Sequence, residues 1–497
     1  MSGRSQATTA AIDLGASSGR VVVGACSADG VTLREVHRFA NVPVRAGGTL
    51  RWDVLALFRG ILDGLRMAAA AAAGPLDSVG VDSWGVDYGL LDADGQLLGN
   101  PAHYRDPRTG PAFSSTLGKL GAAELYRATG TALHPFNTVF QMLADRGSAQ
   151  QAIAAHALLI PDLMTYWLCG SMGTELTNAS TTGLLDVRTL GWSAALASRL
   201  ELPVGLFAPI GRPGNIIGRT LPDVMTDAGL DAAPQVVTVP SHDTAAAVAG
   251  IPAGSDTFGY VSSGTWALVG LKLPEPVITE ASRAANFTNE VGADGSTRFL
   301  RNVTCFWLLQ ECVREWRARG LGPDVGELTR AVAEMPALRA VVDVQEPAFA
   351  APGEMPHRIA QACLRTSGVS ISTPAEITRC ILDSTALAIR HAIHDGMRLS
   401  GVTVDVVHVV GGGVSNVLFC QLVADACRLP VIAGPIEAAA WGNTIYQARA
   451  LGVISGSAAD ARTIIRQAEE PVAYAVRGGD AAWQRADELV LQARGAG

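Results

Sequence analysis

Asp13, Asp243 and three short runs of small residues are the positions whose types and spacing suit phosphoryl-transfer chemistry. The first run is DLGASSGR, Asp13 to Arg20, a carboxylate ending an apolar stretch and followed by two glycines and two serines. Small residues let backbone N–H groups and hydroxyls approach a phosphate. A carboxylate such as Asp13 holds a magnesium ion directly or through water. The second run, SSGTW (Ser262 to Trp266), repeats this character, with the Thr265 hydroxyl as a phosphate donor. The third, VGGGVSN (Val410 to Asn416), follows an apolar strand and opens a helix, a place where backbone packs against a phosphate or flat ligand. Each run also reads as an ordinary turn; together they suit a triphosphate held from two sides.

A general base is offered by VVTVPSHDTAAAVAG, Val236 to Gly250, where a strand stops at Pro240 and a helix follows a polar cluster. Asp243 is the base candidate and His242 the second, although a sugar hydrogen bond suits His242 better. Asp243 and Thr244 are also residue types favoured at helix N-caps. In DSWGVDYGLLD, Asp82 to Asp92, Gly85 permits close approach of a ligand, and Trp84 either stacks on a sugar or fills a core. Asn302 and Gln310 lie eight residues apart in NVTCFWLLQ; on one helix they share a side, about 12 Å apart. No G-K-[ST] exists, because the only lysines are Lys119 and Lys272. Asn416 stands where the last glycine of G-x-G-x-x-G belongs, which disfavours a dinucleotide fold. Phosphoryl transfer here therefore needs magnesium, backbone amides, hydroxyls and arginine.

The elements that must position these residues are legible in outline. Thr8–Leu14 and Arg20–Cys26 read as a strand–turn–strand unit, followed by a strand at Val31–His37. Asp53 caps a helix carrying Leu57, Ile61 and Leu65 at helical spacing. Asp77–Asp82 reads as a strand. The pattern recurs at Phe258–Ser262 and Trp266–Leu271, and Val404–Val410 is a strand with a helix expected from about Val414 to Arg428. Two such units suggest a duplicated α/β domain, with a break in the turn-rich stretch Gly250 to Ser255.

At 497 residues the chain accommodates several domains. Its 48% hydrophobic and 17% charged residues exclude wholesale disorder. The net charge of −8, without a basic stripe, argues against nucleic acid. No apolar run is long enough to span a bilayer, and the N-terminal residues lack a signal-peptide h-region, so the expected compartment is the cytoplasm. Eight cysteines without a C-x-x-C pair read as reduced, buried thiols rather than a zinc site.

Taken in order, DLGASSGR, SHDTA, SSGTW, VGGG and the later Gly442-Asn443 resemble the FGGY carbohydrate kinases, and within them the rhamnulokinase branch. WDV (52–54), DSWGVD (82–87), YRDPRT (104–109), PFNT (135–138), TNASTT (177–182), PGNIIG (213–218), TNE (288–290), WLLQ (307–310) and GPIEA (434–438) extend the likeness over most of the chain. The resemblance implies two ribonuclease-H-like, actin/hexokinase-type α/β domains with the active site in the interdomain cleft. Residues 1–250 would be the N-terminal domain, with sugar site, first phosphate turn and catalytic aspartate, and 251–497 the nucleotide-binding C-terminal domain. It implies transfer of the ATP γ-phosphoryl group to C1 of L-rhamnulose with Mg²⁺. The matching positions are Asp243 as proton acceptor; Gly85, His242, Asp243, Thr244 and Asn302 at the sugar; Ala16, Ser17, Ser18, Gly19, Arg20, Thr265, Gln310 and Gly412 at ATP; and Asp13 at the metal. Small molecules are the expected partners, with neither nucleic acid nor membrane, in a monomer or homodimer. Alternatives are a kinase for another ketose, such as L-fuculose or xylulose, or a non-catalytic sugar- or nucleotide-binding regulator on the same fold.

Overall fold

The computed structural model describes residues 5–28 and 30–495. Residues 1–4, 29 and 496–497 lie outside the described residues; they include the first residues of the segment read for a leader and the outer ends of both expected domain ranges. Two compact units divide the chain. Unit 1 holds Met1–Asp256, Leu273–Phe299 and Ala438–Glu469, and unit 2 holds Thr257–Lys272, Leu300–Glu437 and Glu470–Gly497. Two segments of the second half thus return to the first unit, an arrangement that no local composition signals.

Unit 1 begins with β1 (Gln6–Leu14) and β2 (Ser18–Ser27), an antiparallel hairpin closed at the Leu14–Gly19 pair, continued antiparallel by β3 (Gly30–Ala40). Helix α1 (Val54–Ala71) starts where the Asp53 carboxylate accepts the Ala56 N–H at 3.1 Å. Leu57, Ile61 and Leu65 form its apolar stripe, buried with Ile12, Val21 and Val81 of the sheet; each such side chain contributes roughly 1.5–3 kcal/mol of burial. β4 (Ser78–Ser83) runs parallel to β1; β5 (Ile216–Arg219) and β6 (Gln235–Val237) complete the order β5–β6–β4–β1–β2–β3. A parallel neighbour beside an antiparallel hairpin makes the sheet mixed, with helices supplying the crossovers. Helix α2 (Asp243–Ala249) follows β6.

The next elements are β7 (Phe258–Ser263) and β8 (Trp266–Leu273), then β9 (Thr288–Val291), β10 (Thr297–Thr304) and α3 (Trp307–Ala318). α4 (Pro374–Ser400), β11 (Val407–Gly411), α5 (Val417–Cys427), β12 (Val431–Ala433), α6 (Ala438–Ala450) and β13 (Val472–Tyr474) follow. In unit 2 the strand order is β10–β8–β7–β11–β12–β13. Here again an antiparallel hairpin, β7/β8, has a parallel neighbour, β11. The local plan of unit 1 is repeated, with β7, β8 and β11 in the places of β1, β2 and β4.

Two local expectations change. Asn302 lies on β10 and Gln310 on α3, so the two do not share a helix face: sheet pairing holds Thr297–Thr304 extended, and the helix starts only at Trp307. After Gly411 the chain makes a 3₁₀ turn, Gly412–Ser415, and α5 starts at Val417 instead of Val414. The reason is Asn416, whose side-chain Oδ1 accepts the Phe419 N–H at 3.0 Å as an N-cap.

Candidate active site

The parallel register of β1 and β4 sets Asp13 beside Asp82 and Leu14 beside Ser83. Neighbours in register share a face, so two carboxylates meet at the strand ends. Asp13 is buried, and its Oδ2 accepts Nε and Nη2 of Arg20 at 2.9 and 2.5 Å. Asp82 is fully buried; its Oδ2 accepts the Asn443 amide at 2.6 Å, and its Oδ1 has no hydrogen-bond partner. Burial first, then the Asp13 charge, pushes the Asp82 carboxyl well above the usual range, while the Asn443 bond and Arg20 pull it back. The turn Ala16–Gly19 is tied down by Asn41, whose N–H donates to the Ser17 carbonyl (3.0 Å) and whose side-chain amide donates to the Gly15 carbonyl (2.9 Å). Ala16 and Ser17 are exposed. Gly19 leaves room for the Phe39 ring, which a Cβ would strike.

His242 and Asp243 are delivered by a strap held from below. The Ser83 N–H donates to the Ser241 carbonyl at 2.9 Å. Glu175, buried, accepts the Ser241 N–H and hydroxyl at 2.9 Å each, and the Thr177 hydroxyl at 2.5 Å. The His242 N–H donates to Thr177 Oγ1 at 3.3 Å. Neither Asp243 nor Thr244 caps α2: His242 occupies the cap position without a side-chain cap bond, and Asp243 is the first helical residue. The polar strap already fixes the chain entering the helix, so the carboxylate is free of capping duty. Its side chain stays 32% exposed, its Oδ1 accepts the Thr244 hydroxyl at 3.0 Å, and His242 Nε2 lies 3.5 Å away. Desolvation raises the Asp243 carboxyl; His242 opposes this and Asp13 adds to it. Water at the exposed third of the side chain screens these effects.

Gly85 is packed against Thr181, whose Oγ1 accepts the Val86 N–H at 3.2 Å; a Cβ at Gly85 would crowd that hydroxyl. Trp84 is a buried core ring 4.2 Å from Trp52. Both indoles donate to Asp87 Oδ2, at 2.6 and 3.0 Å, and Gln141 donates to Oδ1 at 2.7 Å. Burial nevertheless raises the Asp87 carboxyl to about 6.

Helix α6, from the far end of the chain, lies against this region of unit 1. At Gly442 a Cβ would overlap the Ala246 carbonyl oxygen of α2, and at Gly250 the Ala438 carbonyl oxygen. The absent side chains let the helix backbones touch. Asn443 then reaches Asp82, and its Oδ1 accepts the Gln447 amide at 2.6 Å, while Gln447 Oε1 accepts the Ser78 hydroxyl at 2.7 Å.

In unit 2, Thr265, Gln310 and Gly412 are organised around the β7/β8 hairpin. Thr265 Oγ1 donates to Gln310 Oε1 at 3.2 Å. Ser263 Oγ donates to the Val410 carbonyl at 2.6 Å and accepts the Gly413 N–H at 3.1 Å, locking the glycine turn onto the hairpin. Gly411, at φ +83°, leaves no space for a Cβ beside the Ser263 carbonyl, whereas Gly412 is exposed with open space around it. Asn302 contributes its backbone carbonyl to the Gln345 amide at 2.9 Å. Where unit 1 places Asp13 and Asp82 at the strand ends, the corresponding pairs in unit 2 are Ser262–Val410 and Ser263–Gly411. One unit presents carboxylates and the other neutral donors.

Asp82, Glu175, Glu290, Arg298 and Asn443 are not marked as acting groups by the sequence alone. Asp82, Glu290 and Asn443 lie inside quoted segments, so a signal was present; Glu175 and Arg298 carry none. A hydrated divalent cation fits Asp13 and Asp82, since a buried carboxylate oxygen without a partner sits beside a second carboxylate. Among the described residues no group of three or more His, Cys, Asp or Glu is arranged to hold a metal. Magnesium asks for less, taking one or two carboxylates and filling its other positions with water and phosphate oxygens. Among the described residues no helix is long and apolar enough to cross a membrane.

Residues 8–250 match the N-terminal domain, and residues 259–451 the C-terminal domain, of the FGGY family of carbohydrate kinases. The chain is 39% identical over 458 residues to a rhamnulokinase of Pectobacterium carotovorum subsp. carotovorum, covering 90% of this chain and 89% of that one. A Bacteroides thetaiotaomicron rhamnulokinase is 38% identical over 445 residues, covering 89% and 90%. In structure it resembles a ligand-bound xylulose kinase from Lactobacillus acidophilus (TM-score 0.81, 17% identity, 98% of each chain). It also resembles Plasmodium falciparum glycerol kinase with ADP (TM-score 0.78, 14% identity, 99% of this chain and 98% of that one). At those identities the structural likeness shows the fold, which is the two-domain α/β fold expected from the motifs.

Proposed function

Because the chain belongs to the FGGY family of carbohydrate kinases, we propose that it transfers the γ-phosphoryl group of ATP to the C1 hydroxyl of L-rhamnulose, giving L-rhamnulose 1-phosphate and ADP in L-rhamnose breakdown. The observation that carries the choice of ketose is the 38–39% identity to rhamnulokinases across about nine-tenths of both chains.

Asp243 accepts the proton of the C1 hydroxyl as that hydroxyl's oxygen attacks the γ-phosphorus. The new O–P bond forms as the bond to the bridging oxygen of ADP breaks, and ADP departs with the electron pair. A carboxyl raised by desolvation is a better base than a free one, which suits this step. His242, Thr244, Gly85 and Asn302 are assigned to the sugar, and Ala16–Arg20, Thr265, Gln310 and Gly412 to ATP. Neutral hydroxyls and open glycine backbone suit phosphate oxygens, which carboxylates would repel; this supports giving ATP the turns Ala16–Arg20 and Ser262–Trp266 with Gly412, and giving Asp243 the proton. Asp13 and Asp82 would hold Mg²⁺, which would supply positive charge to the triphosphate. Eight free cysteines are consistent with work in the cytoplasm.

The test is a kinetic screen with ATP and L-rhamnulose, L-fuculose, D- and L-xylulose, L-ribulose and glycerol. The highest kcat/KM is expected for L-rhamnulose. A tenfold preference for another acceptor overturns the assignment of the ketose, and turnover of none overturns the kinase reading.

A further inference from the structure

Two buried side chains beside His242 have no part in the reaction as written. Glu290 lies on β9 and Arg298 on the part of β10 that belongs to unit 1. The Arg298 side chain is completely buried. Its Nη2 lies 3.0 Å from His242 Nδ1 and 3.0 Å from Glu290 Oε2, and its Nε donates to the Val291 carbonyl at 3.3 Å. The ion pair with Glu290 balances the buried guanidinium charge, which would otherwise be costly.

A guanidinium has five N–H donors, no acceptor, and does not lose its proton in a protein. In the contact with His242 the imidazole must therefore accept, so Nδ1 carries the lone pair. A neutral imidazole then bears its proton on Nε2, the nitrogen 3.5 Å from Asp243 Oδ1. Glu290 Oε2 also approaches Nδ1, at 3.4 Å. A proton on Nδ1 aimed there would set two N–H groups against each other across the 3.0 Å contact with Arg298. The shorter contact decides the tautomer.

We infer that Arg298 is a positioning residue: by donating to Nδ1 it holds His242 as the Nε2–H tautomer and turns that N–H toward the Asp243 carboxylate and the hydroxyl it serves. The opposite tautomer would present a lone pair to the carboxylate, repelling it from its working orientation. The value of this arrangement to turnover rests on Asp243 being the base; the tautomer itself does not.

The experiment is a long-range ¹H–¹⁵N correlation spectrum of protein labelled at histidine, with the His242 signals identified by their loss in His242→Gln. The wild type is expected to show protonated Nε2 and unprotonated Nδ1. Arg298→Met is combined with Glu290→Gln so that no carboxylate is left unpaired in the interior. This double variant should move toward the Nδ1–H tautomer and lose roughly 10- to 100-fold in kcat with L-rhamnulose, at unchanged KM for ATP. Arg298→Lys, which keeps a donor, should retain the Nε2–H pattern and most of kcat. A wild-type ring protonated on Nδ1, alone or together with Nε2, overturns the inference, whether or not the variants fold. So does an Nε2–H pattern that persists in the double variant. If the tautomer behaves as expected while no ketose is phosphorylated, the positioning stands and the proposed reaction falls.

Discussion

The exposed third of Asp243 and its freedom from capping make it a clean target for substitution. Asp243→Asn keeps the size of the side chain and leaves the strap from Ser83, Glu175 and Thr177 intact. It should fold and bind ATP normally yet lose about 10²- to 10⁴-fold in kcat, the usual worth of a positioned base. Asp243→Ala should be nearly as stable as Asp243→Asn, since His242 rather than Asp243 occupies the cap. Calorimetry beside steady-state kinetics checks both statements; turnover by Asp243→Asn near the wild-type rate would move the base elsewhere, first to His242.

Asp87 belongs to the same scale, but its effect is on stability. Its carboxyl titrates at about 6 in the folded protein and near 4 when unfolded. Between those values the folded form keeps a proton that the unfolded form has released. The contribution is therefore fully present below pH about 4 and is lost as pH rises through about 6. Urea unfolding at several pH values should show wild-type stability falling relative to Asp87→Asn across that window, by about 1–3 kcal/mol. A difference between the two proteins that is constant or grows with pH would contradict the desolvated carboxyl.

Glycines of opposite character separate two elements. Gly442 is where α6 rests on α2, and a methyl group there meets backbone that cannot rotate away. Gly442→Ala should cost roughly 1–3 kcal/mol or more as overpacking and lower kcat, because α2 begins with Asp243 and Asn443 supports Asp82. Gly412 has open space, so Gly412→Ala should melt like the wild type while raising KM for ATP with KM for the sugar unchanged. Equal effects of Gly412→Ala on both Michaelis constants would remove it from the nucleotide surface. The hairpins, α1 and its Asp53 cap were legible because their signals are local: apolar alternation, a small-residue turn, a helical stripe behind a capping carboxylate. The helix placed over Asn302 was not, because FLRNVT suits a strand or a helix end equally until β10 finds its neighbour in the sheet.

At the scale of the molecule, neither of the two lysines stands in a phosphate loop, and Arg20 of the first turn is already paired with Asp13, so a divalent cation is needed to offset the triphosphate charge. Turnover should vanish on chelation of divalent metal and return with Mg²⁺. Chelator-resistant activity would exclude the assignment of Asp13 and Asp82 to a cation. By itself the sequence determined the class of chemistry, the repeated strand–turn–strand plan, and the identity of Asp13, Asp243 and the glycine turns as candidates. Each motif depends on residue type and spacing within a dozen positions, where steric and hydrogen-bonding preferences act directly, and the class of chemistry on the order of the motifs along the chain. Only the tertiary structure decided what stands around those residues. Asn443 meets Asp82 across 361 positions, and Arg298 meets His242 across 56. Such encounters follow from burying one apolar surface on another, which selects partners by shape and register. A buried carboxylate or guanidinium then takes its properties from whichever dipoles and charges that packing has brought within reach.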